Sequence, residues 1–174
     1  QLTLFPGALS LSQVAERVLA LHRIRAEAKG LSLRFELAGA GAAAMRLGDE
    51  QRIVQVLNNL VGNAIKFTDS GEVLLRIFAG PGPQLAIEVA DTGIGMTEAD
   101  MSRVFGEFIQ VHAGMTRRYG GTGLGLAIAK NIVDGLGGSI SVTTRPGTGT
   151  DVRVELGDAP IRAESNTAMP ADFL

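Results

Sequence analysis

The chain has 174 residues, and its 16 Lys and Arg against 18 Asp and Glu give a net charge of −2, which argues against a basic nucleic-acid-binding surface. It has no cysteine and only two histidines, so disulfides, thiolate catalysis and cysteine-ligated zinc are excluded, and a histidine-rich metal site is not expected. No apolar run approaches the roughly 18 residues of a membrane helix, so we expect no direct membrane contact by this domain. Because residue 1 is Gln and not Met, we expect the chain to be a piece of a longer protein.

The first half of the chain predicts two helices and three strands. Helical spacing of apolar residues indicates a helix over Ser12–Lys29, and the alternating "LSLRFEL" that follows indicates a strand. A second helix is predicted over Asp49–Phe67, with Asp49 as its N-cap. "EVLLRIFA" and "QLAIEVAD", separated by "GPGP", are typical of two antiparallel strands.

The second half predicts a long loop, a helix and two more strands. Residues 93–122 lack clear periodicity, and a loop of that length is usually functional or disordered. Helical spacing resumes at Leu124, and "GGSISVTT" and "TDVRVEL" indicate the last strands. We therefore predict an α/β fold, a two-layer sandwich in which a mixed, mostly antiparallel sheet of about five strands carries three main helices on one face. Residues 157–174 lack periodicity and are predicted to be a linker or tail, which leaves 1–156 as the domain.

The predicted second helix carries an unusual polar stripe. Ile53, Leu57, Leu60 and Ala64 share the side expected to pack on the sheet, and the opposite stripe contains Asn59, Asn63 and Lys66. Asn is unfavourable inside a helix because its amide competes for backbone hydrogen bonds. The stripe is therefore either a solvated face or the lining of a site, where the carboxamides bind a hard cation such as Mg²⁺ and Lys66 lies near a phosphate.

An acidic residue ends an otherwise apolar strand face. In "LAIEVAD", alternation puts Asp91 on the same face as Leu85, Ile87 and Val89. A buried carboxylate needs donors, so Asp91 either caps the following "TGIG" turn or accepts a hydrogen bond from a ligand amine such as that of adenine. The glycines of that turn, at 93 and 95, would allow a flat ring to approach the backbone.

The stretch "YGGTGLGLAI" at 119–128 leads directly into the third main helix. It lacks the Lys of a P-loop and the spacing of the dinucleotide fingerprint. Free backbone N–H groups at a helix N-terminus still favour an anion, and Arg117 and Arg118 would add positive charge. The alternative is a hinge or entry turn without a ligand.

Four motifs in order resemble one family, the catalytic ATP-binding domain of sensor histidine kinases, within the GHKL ATPases that include gyrase and a class of heat-shock chaperones. "NNLVGNAIKFT" is similar to its N box, "DTGIGM" to its G1 box, "VFGEFIQ" to its F box and "GGTGLGLAI" to its G2 box. The resemblance covers about residues 1–156 and implies the Bergerat ATP-binding fold with a long ATP lid. The lid segment is most similar to that of hybrid kinases, in which a receiver domain follows.

The resemblance also implies the site. Asn63 would bind Mg²⁺, Asn59 and Lys66 would act along the phosphates as catalytic residues, and Asp91 would accept the adenine amine. The remaining ATP-binding positions that it implies are Gly93, Gly95, Phe105, Phe108, Arg117, Arg118, Gly121, Thr122, Gly123, Leu124, Gly125 and Thr150. The cofactors would be ATP or ADP and Mg²⁺.

The implied activity is transfer of the γ-phosphoryl group of ATP to a histidine on a separate dimerisation domain of the same protein, with a response regulator or receiver domain as a further partner. Neither His22 nor His112 matches a phosphoacceptor pattern, so the acceptor is expected elsewhere in a cytoplasmic part of the parent protein, which could itself be membrane-anchored. Two alternatives stay open: a degenerate nucleotide- or partner-binding module without transfer, and another GHKL enzyme. Asn59 disfavours the second, because ATPases of the class usually carry an acidic base in that helix.

Overall fold

The structure is a computed structural model that describes residues 3–5, 7–39, 45–79, 84–104 and 125–156. This part of the chain contains four helices and seven strands. In chain order they are β1 (Gly7–Leu9), α1 (Leu11–Ala28), β2 (Ser32–Ala38), β3 (Arg46–Gly48), α2 (Glu50–Phe67), β4 (Glu72–Ala79), β5 (Leu85–Asp91), α3 (Glu98–Val104), α4 (Gly125–Gly135), β6 (Ser139–Arg145) and β7 (Gly149–Leu156). The predicted helices and the five predicted strands are all present, with bounds that differ by one or a few residues.

Side-chain caps set where the two long helices begin. The hydroxyl of Ser10 accepts a hydrogen bond from the backbone N–H of Gln13 at the start of α1. The carboxylate of Asp49 accepts from Arg52 N at 3.1 Å and from Phe5 N at 2.8 Å. The prediction that Asp49 is the N-cap of α2 is therefore confirmed, and the same side chain also ties down the segment that precedes β1.

The main sheet has five strands in the order β2-β4-β5-β7-β6. β2 pairs with β4 in parallel, and the other three pairs are antiparallel, which confirms the predicted mixed sheet. Its inward face pairs Leu75 with Val89 and Ile77 with Ile87, all fully buried. Helices α1, α2 and α4 supply the other side of this core through Val18, Leu57, Val133 and their neighbours. The second helix therefore lies between its two partner helices against the sheet.

The opposite face of the sheet carries charged side chains that pair across the strands. Arg76 binds Glu36 at 2.9 Å and Glu88 at 3.0 Å, and Arg153 binds Glu88 at 3.4 Å. The guanidinium groups of Arg76 and Arg153 each lie 5.7 Å from the centre of the Phe78 ring. Alternation along the strands thus separates an apolar face that takes the helices from a charged outer face.

One helix and one pair of short strands were not predicted. Helix α3 lies inside the segment 93–122 that we expected to be a loop, and its signal was in the sequence: the Thr97 hydroxyl accepts from Asp100 N at 3.2 Å and donates to the Asp100 carboxylate at 2.7 Å. This T-x-x-D pattern is a form of capping box. The second is the small antiparallel pair of β1 and β3, whose three-residue strands are too short for a periodicity test.

Helical spacing in α1 predicted the helix correctly but not the exposure of all its apolar residues. Val14 and Val18 are fully buried, whereas Leu21 and Ile24 are 69% and 79% exposed. Nothing among the described residues covers either side chain. No helix in the described part of the chain combines the length and apolar character needed to cross a membrane.

Candidate nucleotide-binding site

A polar row crosses the helix-facing side of the sheet where its apolar face ends. Asp91, the last residue of β5, pairs with Thr150 of β7, which in turn pairs with Thr144 of β6. Because residues directly opposite one another in antiparallel strands project to the same face, the three side chains lie side by side. The next residues inward on that face are Val89, Val152 and Val142, so a carboxylate and two hydroxyls close the apolar core.

The carboxylate of Asp91 is held by backbone donors from two parts of the chain. Its Oδ1 accepts from the backbone N–H of Gly93 at 2.8 Å and of Thr150 at 3.3 Å, and the side chain of Thr68 lies beside it. Burial raises the pKa of Asp91 above that of an ordinary aspartate, and the hydrogen bonds offset only part of this effect. The turn-capping interpretation of Asp91 is therefore confirmed, and the carboxylate still gains from any further donor.

Thr68 joins Asp91 to the end of α2. It is completely buried, and its hydroxyl donates to the carbonyl oxygen of Ala64 at 2.7 Å, across the last turn of the helix. The backbone N–H of Ile94 donates to Phe67 O at 3.1 Å, so the loop after β5 packs directly on the same helix end. Sequence reasoning missed Thr68 because a hydroxyl beside a helix C-terminus is common in turns.

The glycines after Asp91 have a structural reason that differs from the predicted one. A Cβ at Gly93 would overlap Phe67 O, and a Cβ at Gly95 would overlap the carbonyl of Arg145. Gly95 also has a φ of +65°, which side-chain-bearing residues adopt only with strain. Their missing side chains make room for the protein's own backbone, and the approach of a flat ring to this turn stays a prediction.

The turn between β6 and β7 supports this loop from the other side. The hydroxyl of Thr144 accepts from Met96 N at 2.9 Å, and Ile94 O accepts from Gly147 N at 2.7 Å. Sequence reasoning also missed Thr144. The signal was available, because Thr144 follows Ile140 and Val142 on the inward face of β6, in the same way that Asp91 ends the apolar face of β5.

The polar stripe of α2 faces away from the sheet. Asn59, Asn63 and Lys66 are half-buried, and a Cβ added to Gly125 would lie 3.2 Å from both the nitrogen and the oxygen of the Asn63 carboxamide. Asn63 therefore lies at the first residue of α4, where backbone N–H groups and the helix dipole favour an anion. Partial burial, and secondarily the charge of Arg25, lower the pKa of Lys66.

Eight of the predicted site residues lie around the C-terminal half of α2 and the polar row beside it: Asn59, Asn63, Lys66, Asp91, Gly93, Gly95, Gly125 and Thr150. The remaining predicted positions lie outside the described residues: Phe105, Phe108, Arg117, Arg118, Gly121, Thr122, Gly123 and Leu124.

Comparison with known proteins gives a consistent result. The model of the family described as histidine kinase-, DNA gyrase B- and HSP90-like ATPase matches residues 48–160, more than half of the chain. The sensor histidine kinase AruS of Pseudomonas aeruginosa is 43% identical over 151 residues, which are 84% of this chain and 15% of that protein. The autoinducer 2 sensor kinase/phosphatase LuxQ of Vibrio cholerae is 41% identical over 168 residues, 93% of this chain and 19% of that protein.

Solved structures agree on the fold. Full-length ShkA in complex with AMPPNP superposes with a TM-score of 0.76 at 32% identity, over 89% of this chain and 31% of that one. The catalytic domain of the histidine kinase ThkA has a TM-score of 0.73 at 25% identity, over 88% of this chain and 95% of that one. The chain thus spans less than a fifth of the curated relatives named above, and nearly the whole of an isolated catalytic domain. The chain belongs to the histidine kinase-, DNA gyrase B- and HSP90-like ATPase family, and its fold is that of the ATP-binding catalytic domain of histidine kinases.

Proposed function

We propose that this chain binds Mg²⁺-ATP and positions its γ-phosphoryl group for transfer to a histidine on a separate dimerisation domain of the same protein. The family match and the relatives named sensor histidine kinases support an ATP-dependent kinase domain. The observation that carries the proposal is the Asp91 carboxylate, held by Gly93 N and Thr150 N beside the helix that bears Asn59, Asn63 and Lys66. An adenine amine donates to such a carboxylate at one end of the ligand while the phosphates reach the polar stripe at the other.

Asp91 selects the base in this proposal. Its Oδ1 is occupied by two backbone donors, so the rest of the carboxylate is oriented before a ligand arrives. The buried side chain of Thr68 borders it on the side of α2. A preorganised acceptor loses little entropy on binding, and it rejects ligands that offer a carbonyl where adenine offers an amine.

The phosphates belong at the other end, between the α2 stripe and the start of α4. Asn59 and Lys66 would lie along them, and the backbone at Gly121, Gly123 and Gly125 would donate to their oxygens. Asn63 fits a magnesium ligand, because its carboxamide oxygen is a hard donor and lies beside the α4 N-terminus, where the phosphates that share the metal would bind. Within the described ranges, no group of three His, Cys, Asp or Glu side chains is placed to hold a metal ion, and in this proposal oxygens of Asn63 and of the nucleotide would bind Mg²⁺. Bound Mg²⁺ supplies charge neutralisation on the phosphates.

The chain's own residues act by positioning. Lys66 contributes positive charge that is only partly screened by solvent, and Asn59 orients the phosphate chain from the same helix face. The nucleophile comes from elsewhere. His22 is half-buried between α1 and α2, with its Nε2 3.1 Å from Asn58 Oδ1, and it is therefore not placed to accept a phosphoryl group.

The test is phosphoryl transfer in trans. The chain is incubated with Mg²⁺ and γ-labelled ATP together with the histidine-containing dimerisation domain of its parent protein, and label on that domain is followed with time. We expect acid-labile, base-stable label, as for phosphohistidine. If the same dimerisation domain is labelled by another kinase but not by this chain, the chain is a nucleotide- or partner-binding module and the transfer proposal fails.

Asn63→Ala should remove most of the magnesium dependence of ATP binding. The variant deletes the proposed protein ligand, so the affinity gained on adding Mg²⁺ should fall about tenfold while metal-free binding changes little. The measurement is calorimetric titration of ATP with Mg²⁺ and with a chelator. Asn131→Ala on the exposed side of α4 is the control, since it deletes the same carboxamide outside the site. An unchanged response to Mg²⁺ would move the metal to other ligands.

The proposal for the rest of the parent protein comes from the sequence resemblance. The domain is taken as 1–156, with 157–174 as a linker to a following receiver domain, and a response regulator as a further partner. The parent protein would hold this domain in the cytoplasm, where ATP is available.

A further inference from the structure

The hydroxyl of Thr144 occupies the centre of a hydrogen-bond network behind Asp91. It lies 2.9 Å from Met96 N, 3.0 Å from Gly149 O and 3.0 Å from the hydroxyl oxygen of Thr150. A threonine hydroxyl has one proton to donate and two lone pairs that accept. With three neighbours, the proton and both lone pairs of the Thr144 hydroxyl are used, and this fixes the direction of each hydrogen bond.

The directions follow from the partners that have no choice. Met96 N–H can only donate, so Thr144 accepts from it, and Gly149 O can only accept, so the proton of Thr144 goes there. The contact between the two hydroxyls can then be filled only by the proton of Thr150. With that proton turned toward Thr144, the oxygen of Thr150 has nothing but lone pairs to offer to any other neighbour.

This arrangement places two acceptors next to each other. Thr150 is the cross-strand partner of Asp91 and lies on the same face of the sheet, and its own backbone N–H already donates to Asp91. A ligand edge that meets both side chains must therefore bring donors. An exocyclic amine has two N–H groups and suits the pair, whereas a carbonyl oxygen in the same place would face acceptors only.

We infer that Thr144 strengthens the base selectivity set by Asp91, as a positioning residue that fixes the proton of Thr150 away from the ligand. The inference rests on the proposed binding of ATP at Asp91. Without the Thr144 hydroxyl, the hydroxyl of Thr150 is free to rotate and to donate to a 6-oxo purine. The site should then accept inosine triphosphate better relative to ATP.

Thr144→Val tests this, because it replaces the hydroxyl with a methyl group and keeps the β-branched shape that suits a strand. Affinities of ATP and inosine triphosphate are measured by calorimetry in Mg²⁺ for the wild type and the variant. Both affinities should fall, since Met96 N–H loses its acceptor, but the preference for ATP should fall about tenfold. Thr144→Ser keeps the hydroxyl and should restore the preference. Thr144→Ala is measured as well, so that a variant without the hydroxyl is available if Val is not tolerated.

A double-mutant cycle separates this role from a structural one. In the background of Thr150→Val there is no Thr150 proton to orient, so Thr144→Val should leave the ATP-to-inosine-triphosphate ratio unchanged there. The inference is overturned if the folded Thr144 variants keep the wild-type ratio, or if the ratio moves equally in both backgrounds. If the wild type binds neither nucleotide, the proposed function itself fails. If the wild type prefers ATP and only the ratio fails to move, the function stands and this inference falls.

Discussion

Replacing Asp91 with Asn should weaken ATP binding about 100-fold, equivalent to nearly 3 kcal/mol. The oxygen of the new amide can still accept from Gly93 N and Thr150 N, so the turn keeps its cap. The NH₂ group then takes the other carboxylate position, where it presents a donor to the donor of the adenine amine and leaves both unpaired. Calorimetric titration with ATP measures the loss.

Two readouts keep this result specific. Asp134→Asn, on the exposed side of α4, removes the same charge outside the site and should leave the affinity unchanged. The pH dependence supplies the second. The ionised carboxylate is a stronger acceptor for the amine than the protonated form, whose O–H is a donor, and burial raises the pKa of Asp91. The wild-type affinity should therefore rise as the pH increases through that raised pKa. The Asn variant should lack this step, and equal affinity of wild type and variant would refute the assignment of Asp91 to adenine.

Of the two matched substitutions Gly95→Ala and Gly147→Ala, we expect Gly95→Ala to destabilise the fold more. Gly95 has a φ of +65°, which costs about 1 kcal/mol for Ala, and its new methyl group would also overlap the backbone carbonyl of Arg145. Neither backbone can move without breaking the bond from Gly147 N to Ile94 O or the bond from Met96 N to Thr144. We expect a total loss of about 3 kcal/mol in the free energy of unfolding.

Gly147→Ala is the control for this substitution. Its φ is +77°, close to that of Gly95, but a Cβ there has no heavy atom within 4 Å. It should therefore cost only the conformational strain of about 1 kcal/mol. Denaturant unfolding of both variants gives the comparison. Equal losses would mean that the loop after β5 is not packed against the β6–β7 turn as closely as the structure has it.

The elements that sequence reasoning predicted well are those with long periodic patterns. Alternation and helical spacing identified the five strands of the main sheet and helices α1, α2 and α4, and the cap residue Asp49 set the start of α2. Asp91 was identified as a candidate site residue because a charged residue at the end of an apolar strand face is expected either to cap a turn or to bind a ligand. The strength of these signals comes from burial, which forces residue types to follow the geometry of the element.

What could not be predicted depends on contacts between distant segments. Thr68 and Thr144 are ordinary residues in their local sequence, and their role appears only when the end of α2 and the β6–β7 turn meet the loop after Asp91. The glycines at 93 and 95 were singled out correctly, but the atoms that require them belong to Phe67 and Arg145. The exposure of Leu21 and Ile24 shows the same limit, because spacing identifies a helix without identifying which apolar side chains find a partner.

The hydrogen bond from Thr150 N to Asp91 joins residues 59 apart, and that from Met96 N to Thr144 joins residues 48 apart. Closing such long loops is entropically costly and comes late when a chain folds. During synthesis, α2 and β5 emerge from the ribosome before the last two strands, so the nascent chain then carries Asn63, Lys66 and Asp91. It still lacks Thr150, whose backbone N–H helps to hold the Asp91 carboxylate in place. The proposed nucleotide site would therefore be complete only after the β6–β7 hairpin has emerged and docked, so an incomplete translation product would have the residues of the site without the site.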